Sequence, residues 1–215
     1  MPAIEMDSKI VMVAMLLALA ATQFSHASPL EVASSNESPK NMSRTFFYFA
    51  YGSNLLSQRI HIKNPTAVQR YIGKLKEHRL DFIHYSKNWR GSVSTIVPDV
   101  KSEVWGVIWE INLEDLAHLD DQEGVHENIY FPKNVSIRTP EGETIECRTY
   151  QECVLPEKYV PPSELPPERQ PSFVYLNTII RGAKEFHIPE EYIRFIESFK
   201  HNGYTGEVEL HGKSE

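Results

Sequence analysis

The sequence predicts an α+β domain, rich in strands with helices at its periphery. Three observations carry that reading. Short apolar and aromatic runs of strand length recur from residue 46 to residue 151, separated by Gly, Pro and Asn. Two segments with helical spacing follow a proline-rich stretch near the C-terminus. The 215 residues are 41% hydrophobic and 24% charged, which suits one globular domain with a full core.

The elements follow in chain order. Ile10 to Ala21 is an apolar run preceded by Lys9 and followed by Ser25-His26-Ala27. This is the pattern of a cleavable signal peptide over residues 1–27, with small residues before a cut after Ala27. The run is too short to span a bilayer, which needs about 20 residues; an uncleaved anchor is the alternative. Glu5 and Asp7 dilute the positive charge that such segments carry, and initiation at Met6 would remove the first of them. Residues 28–44 form a polar tract without periodicity, read as a flexible leader, and the folded domain is expected over residues 45–210.

Phe46 to Tyr51 reads as a buried strand, and Gly52 permits a bend after it. Ser53 or Asn54 can cap a helix from Leu55 to Ile62. Strands are expected at Tyr71–Leu75, Arg79–Tyr85, Ser92–Val97 and Glu103–Ile111. Asn112 and Asp115 approximate a capping box for a short helix over Leu113–Leu119. Ile129–Arg138 and Thr144–Gln151 flank Pro140-Glu141-Gly142 as a β-hairpin. Six prolines between Leu155 and Ser172 exclude a helix or a central strand there, leaving an extended loop that wraps the body or covers a site. Ser172 then caps a helix carrying Phe173, Leu176, Ile179, Ile180, Ala183 and Phe186, and Pro189 opens a last one.

Charge and cysteine content exclude several function classes. The net charge is −7, with acidic and basic residues interspersed, so neither nucleic acid nor an anionic membrane surface has an electrostatic footing. Cys147 and Cys153 are the only cysteines; on one continuous strand they stand about 20 Å apart, beyond disulfide reach. Free thiols are therefore expected, unless the chain reverses near Tyr150-Gln151. Export would expose three sequons, at Asn36, Asn41 and Asn134, the last usable only if it faces solvent. The nine histidines show no HExxH spacing, and there is no Gly-x-Ser-x-Gly elbow, so neither a metal site nor a serine triad is expected. Trp105 and Trp109 share a face of their strand, which suits a core or a dimer contact.

Two stretches carry chemistry. Phe46 to Leu55 passes from strand through Tyr51-Gly52-Ser53-Asn54 to a helix start, which presents unpaired backbone N–H groups suited to a carboxylate or oxyanion. By itself this is more often an ordinary strand-to-helix connection. Leu119-Asp120-Asp121-Gln122-Glu123-Gly124 places carboxylates at a helix C-terminus, where the macrodipole and neighbouring acids raise a carboxyl pKa. Its bland alternative is a solvated acidic turn.

Taken together, these motifs resemble the γ-glutamylcyclotransferases. The resemblance extends to Arg59-Ile60-His61-Ile62-Lys63-Asn64-Pro65, Glu103-Val104-Trp105-Gly106-Val107, Gly182-Ala183-Lys184-Glu185 and Tyr204-Thr205-Gly206. It implies a small mixed β-barrel with helices packed outside. It also implies an intramolecular reaction in which the α-amine of a γ-glutamyl group attacks its own γ-carbonyl, releasing 5-oxoproline and a free amino acid. No metal, cofactor or protein nucleophile is needed. Glu123 matches the family's catalytic glutamate, and Tyr48, Phe49, Ala50, Tyr51, Gly52 and Ser53 match its substrate-binding segment. Within that segment Tyr48, Phe49 and Ala50 are expected to position the turn from the core, and Gly52 and Ser53 to touch the ligand. Tyr150 and Tyr175 align with positions near the substrate. The expected partner is thus a small γ-glutamyl substrate, with a homodimer possible since relatives often dimerise. The expected place is outside the cell, although typical relatives are cytosolic and lack the leader. Asn54-Leu55 after Tyr-Gly-Ser favours the branch acting on γ-glutamyl amino acids over glutathione. The competing readings are cyclotransfer on γ-glutamyl amines or glutathione, and a secreted binding protein that kept the fold and lost catalysis.

Overall fold

The structure, a computed structural model, describes residues 44–208. The expected signal peptide, nearly all of the leader, and Asn36 and Asn41 lie outside the described residues, as do the last two positions of the expected domain. Strand β1 (Thr45–Ala50) pairs antiparallel with β3 (Gly91–Asn112), and β3 pairs with β2 (Val68–Ser86) in one long hairpin. A second hairpin joins β4 (Tyr130–Arg138) to β5 (Thr144–Glu152). The spatial order β1-β3-β2-β4-β5 closes into a barrel through a parallel contact of Tyr48 with Arg148. One parallel seam among antiparallel pairs makes the barrel mixed, as the family resemblance implied.

The four strands expected between residues 71 and 111 are two. Lys76-Glu77 and the polar stretch after Pro98 resemble strand ends, yet the hairpin continues through them. The ladder shifts register between Lys76 and His78, Glu77 adopts φ +58°, and His78 stands opposite Pro98. Such a bulge leaves one residue outside the ladder and adds twist without ending the strand, which helps a long hairpin curl into a barrel. The Pro140-Glu141-Gly142 turn forms as expected, with Gly142 at φ +92° and its N–H donating to Thr139 O at 3.0 Å.

The helices depart further from expectation. A 3-10 turn at Ser53–Leu55 and a four-residue helix α1 (Ser57–Ile60) replace the single helix over Leu55–Ile62. Extended backbone at Leu56 (ψ 123°) separates them, and neither Ser53 nor Asn54 caps. A second 3-10 turn (Leu113–Asp115) leads into α2 (Leu116–Gln122). The capping box at its start does not form, because Asp115 instead accepts from Thr66 N at 3.2 Å and Thr66 Oγ1 at 2.6 Å. Ser172 does cap α3 (Phe173–Glu185), accepting from Tyr175 N at 3.1 Å, and α4 (Glu190–Glu197) follows.

The proline-rich segment holds two 3-10 turns and lies along the β2–β3 hairpin as a strap. Arg169 pairs with buried Asp81 and donates through Nε to Phe82 O at 3.1 Å; Ser92 N donates to Gln170 O at 3.0 Å. Ile96, Ile108 and Ile137 of the barrel strands are fully buried, and Trp109 is buried between β3 and the outer elements, its ring against His61 and Phe186. Outside the barrel, α3 buries Leu176, Ile179 and Ala183, and α4 buries Ile193 and Ile196. Trp109 belongs to the core, whereas Trp105 stays half-buried under Lys74. Cys147 is buried and Cys153 exposed, both free. Asn134 is exposed on β4.

Close contact between α3 and the turn at residue 55 fixes where β1 delivers its chain. A Cβ at Gly182 would lie 2.5 Å from both Leu55 C and Leu56 N, so backbone meets backbone with no flexible atom to yield. Gly182→Ala should therefore lower stability by about 1–3 kcal/mol, although Ala favours a helix over Gly by about 1 kcal/mol. Thermal unfolding checks this; a melting temperature equal to or above that of the parent would contradict it.

Candidate active site

β1 ends against the barrel rim, and the turn that follows crosses the mouth of a cavity with about 310 Å³ of open space. Tyr48, Tyr51, Gly52, Ser53, Tyr150 and Tyr175 all reach this cavity, and Glu123 faces them from the end of α2. Phe49 and Ala50 do not: both are wholly buried, and Gly106 packs so tightly on them that an added Cβ would lie 2.3 Å from Ala50 O. Within the matched segment they pack behind the turn and contribute no surface to the cavity. Tyr48, expected to be purely core, does line the cavity.

Neither the Gly52 nor the Ser53 amide donates to an acceptor among the described residues. These two N–H groups form the free cradle at the turn. Gly52 is required here by space, not by a left-handed backbone, since its φ is −105°. A Cβ on it would strike Ser94 Oγ at 2.5 Å and approach Tyr175 OH at 3.3 Å.

Asn54 fastens Glu123 to the cradle. Its Nδ2 donates to Glu123 Oε1 at 3.3 Å and to Tyr48 OH at 3.2 Å. Its Oδ1 accepts from Gln122 Nε2 at 3.0 Å, and its backbone O accepts from Trp109 Nε1 at 3.1 Å. The expected capping residue is thus a link between the two motifs.

The remaining wall is a set of tyrosines with fixed hydroxyls. Tyr51 OH donates to Tyr150 O at 2.5 Å, and Tyr130 OH donates to Ser94 O at 2.7 Å. Tyr175 OH meets Ser94 N at 3.1 Å and Ser94 Oγ at 2.9 Å. Tyr150 OH binds Asp120, which also holds Arg148 Nη2 through both oxygens, at 2.7 and 2.9 Å. Burial, reinforced by the charge of Glu123, pushes the phenols of Tyr48 and Tyr51 well above their ordinary range, so they stay neutral.

Burial also sets the character of Glu123. It pushes the carboxyl up to about 7; the Arg59 cation pulls the other way, and Asp120 adds a further rise. The direction matches the sequence expectation, but desolvation is the main cause and exposed Asp121 has no part in it. Glu152 is also raised to about 7 by burial, yet its carboxyl already accepts from Tyr130 OH and His84 N, both at 3.3 Å. It lines neither this cavity nor the larger one beside it. No cluster of three or more metal-ligating side chains exists among the described residues.

Sequence reasoning missed Ser94, Tyr130 and Arg59 as members of the site. Ser94 and Tyr130 lie on strands whose pattern signals only burial. Arg59 stands within the matched Arg59-to-Pro65 stretch, and a cation at a position that the structure buries was the available signal.

The AIG2-like family matches residues 103–196. A bovine γ-glutamylcyclotransferase is 42% identical over 168 residues, covering 76% of this chain and 84% of the relative. The human γ-glutamylcyclotransferase is 40% identical over the same shares. A solved structure of a γ-glutamyl cyclotransferase superposes with TM-score 0.68 at 38% identity, covering 77% of this chain and 94% of that one. The chain belongs to the γ-glutamylcyclotransferase family.

The raised carboxyl makes a stability prediction. A group whose pKa is higher in the folded state favours folding below its unfolded value and loses that contribution as pH rises through the folded value. Ionising Glu123 therefore costs stability between about pH 4.5 and 7. Glu123→Gln, isosteric and still able to accept from Asn54, should melt at a higher temperature than the parent at pH 8. The gap should close by about pH 4.5, where both side chains are neutral. A variant less stable than the parent at pH 8 would contradict the assignment.

Proposed function

We propose that this protein cyclises γ-glutamyl amino acids to 5-oxoproline with release of the free amino acid, and that Glu123 moves the protons. The observation that carries the reading is one cavity flanked by two things the reaction needs: a carboxylate poised near neutrality and two free main-chain amides. The γ-glutamyl group supplies its own nucleophile. Its α-ammonium gives a proton to the Glu123 carboxylate, and the amine nitrogen then attacks the γ-carbonyl carbon. Negative charge gathers on the carbonyl oxygen, where the Gly52 and Ser53 N–H groups stabilise it. Protonated Glu123 returns the proton to the departing nitrogen as the amide C–N bond breaks; the regenerated carboxylate then takes the second proton from the ring nitrogen and gives it to the released amine, which leaves as its ammonium ion. Atoms and charge balance without water, metal or redox partner.

Magnitudes favour this use of Glu123. The α-amine of a γ-glutamyl group stands beside a free carboxylate and titrates above the roughly 7.7–8.0 of a peptide N-terminus, whereas an ordinary Glu titrates at about 4.3, so proton transfer to an unshifted carboxylate would be uphill by at least roughly 5 kcal/mol. With Glu123 raised to about 7, the gap narrows by roughly 3 kcal/mol. Folding the substrate so that amine and carbonyl touch supplies the other large contribution, since a well-oriented intramolecular attack is worth about 7–11 kcal/mol. The neutral tyrosine hydroxyls and Asn54 give that fold its polar anchors. An inactive binding protein would have no use for a desolvated carboxylate that destabilises the chain.

The N-terminal pattern supports an exported form, with Asn134 as an exposed sequon on the domain itself. Secreted material should begin at Ser28, which N-terminal sequencing reads directly; material that begins at Met1 would rule out the cleavable signal. Homodimerisation is proposed from likeness to relatives alone.

Release of 5-oxoproline from γ-glutamyl-alanine tests the reaction. Glu123→Gln should lower kcat by at least about 10³-fold, with substrate affinity held within several-fold. The parent's kcat/KM should climb with pH along an acid limb near 7, which the variant lacks. Full turnover by the variant would falsify the role given to Glu123.

A further inference from the structure

Beside the cavity of the γ-glutamyl site, one charged side chain is buried with nothing to bind. Arg59, on α1, is only 8% exposed, and its Nε and Nη1 have no hydrogen-bond partner among the described residues. No carboxylate among those residues lies within ion-pair distance of it, and burial lowers its pKa while the Glu123 charge raises it. Its guanidinium carbon stands 5.9 Å from the centroid of the Trp89 ring, which packs edge-on against Tyr175 at 4.7 Å. A fixed, desolvated guanidinium without a counter-ion is a receptor for a carboxylate, since its planar fork matches two oxygens at once.

Arg59 does not line the cavity of the tyrosines. It lines a second, outer cavity with about 1130 Å³ of open space, which shares Ser53, Glu123, Tyr130 and Tyr175 with the first. Glu123 therefore stands at the junction of the two. With a glutamyl group over the Gly52 and Ser53 amides and the scissile amide at Glu123, the departing half of the substrate projects outward. A departing amino acid carries its α-carboxylate one carbon from the scissile nitrogen. Lys63 lines the same outer cavity, but so do the acidic Asp121 and Glu127. General charge does not select an anion there; the unpaired guanidinium does.

We propose that Arg59 binds the α-carboxylate of the departing amino acid, which makes the outer cavity a leaving-group site selective for γ-glutamyl amino acids over γ-glutamyl amines. The inference rests on the reading of Glu123 and the Gly52–Ser53 cradle given above. It assigns Arg59 a specificity role and explains why an unpaired buried cation is kept in a chain that would be more stable without it.

The test compares γ-glutamyl-alanine with γ-glutamyl-alaninamide, which lacks only the carboxylate charge, at about pH 8.5, above the Glu123 limb. The parent should prefer the acid by about tenfold or more in kcat/KM, mostly through KM. Arg59→Met should erase the preference, the acid losing about tenfold or more in kcat/KM relative to the amide. Arg59→Lys keeps a charge without the fork and should cut the preference at least about threefold, so it carries the test if the methionine variant does not fold. An undiminished preference in either variant, or an equal loss on both substrates, overturns the inference. Calorimetric binding of the two peptides to the parent and to Arg59→Met separates this from the reaction itself. Absence of turnover in the parent would count against the proposed reaction, whereas equal affinity for acid and amide would count against Arg59.

Discussion

Asn54 joins two parts of the chain that no regular element connects. Its backbone oxygen is pinned by Trp109 on β3, and its side chain reaches both Tyr48 on β1 and Glu123 beyond α2. Gln122 closes the bracket from the same side as Glu123. A buried side-chain amide with three partners, two accepting from Nδ2 and one donating to Oδ1, has one available orientation. Because the turn and the carboxylate share this anchor, their separation is set by hydrogen bonds rather than by the length of a loop. The tight packing of Gly182 on residues 55 and 56 holds the anchor from beneath.

What the arrangement costs is visible in the charges. Glu123 is desolvated by aromatic side chains whose own hydroxyls are committed elsewhere, so few donors remain to stabilise its ionised form. Arg59, close enough to moderate it, is itself buried without a partner. Two opposite charges that attract without pairing form an unsettled pair, the usual mark of a site that waits for a ligand. Asp120 shows the contrast: one turn away from Glu123, it has Arg148 and Tyr150 as partners.

The parts legible in the sequence were local. The aromatic run ending in Tyr51-Gly52-Ser53, the acidic run ending in Glu123-Gly124, the hairpin about Gly142 and the Ser172 cap each follow from residues adjacent in the chain. The illegible parts were set by distant neighbours. Lys76-Glu77 and Pro98 mark strand ends in isolation, but opposite one another they form a bulge within one long hairpin. Asp115 suits a capping box until Thr66 competes for its carboxylate. Asn54 reads as a helix cap because Glu123, its true partner, lies about seventy residues away. Arg59 on a four-residue helix has no periodic signal at all; only the surrounding burial shows that its charge is unanswered.

The central claim is spatial: a glutamyl group sits with its ring-forming nitrogen at Glu123 and its oxygen on the turn amides. A crystal structure with the product 5-oxoproline bound tests this most directly. The account predicts the ring N–H within about 3 Å of a Glu123 carboxylate oxygen, with a ring or carboxyl oxygen at similar distance from Gly52 N or Ser53 N. Product seated away from both places, or Glu123 turned out of the cavity when it binds, would contradict it.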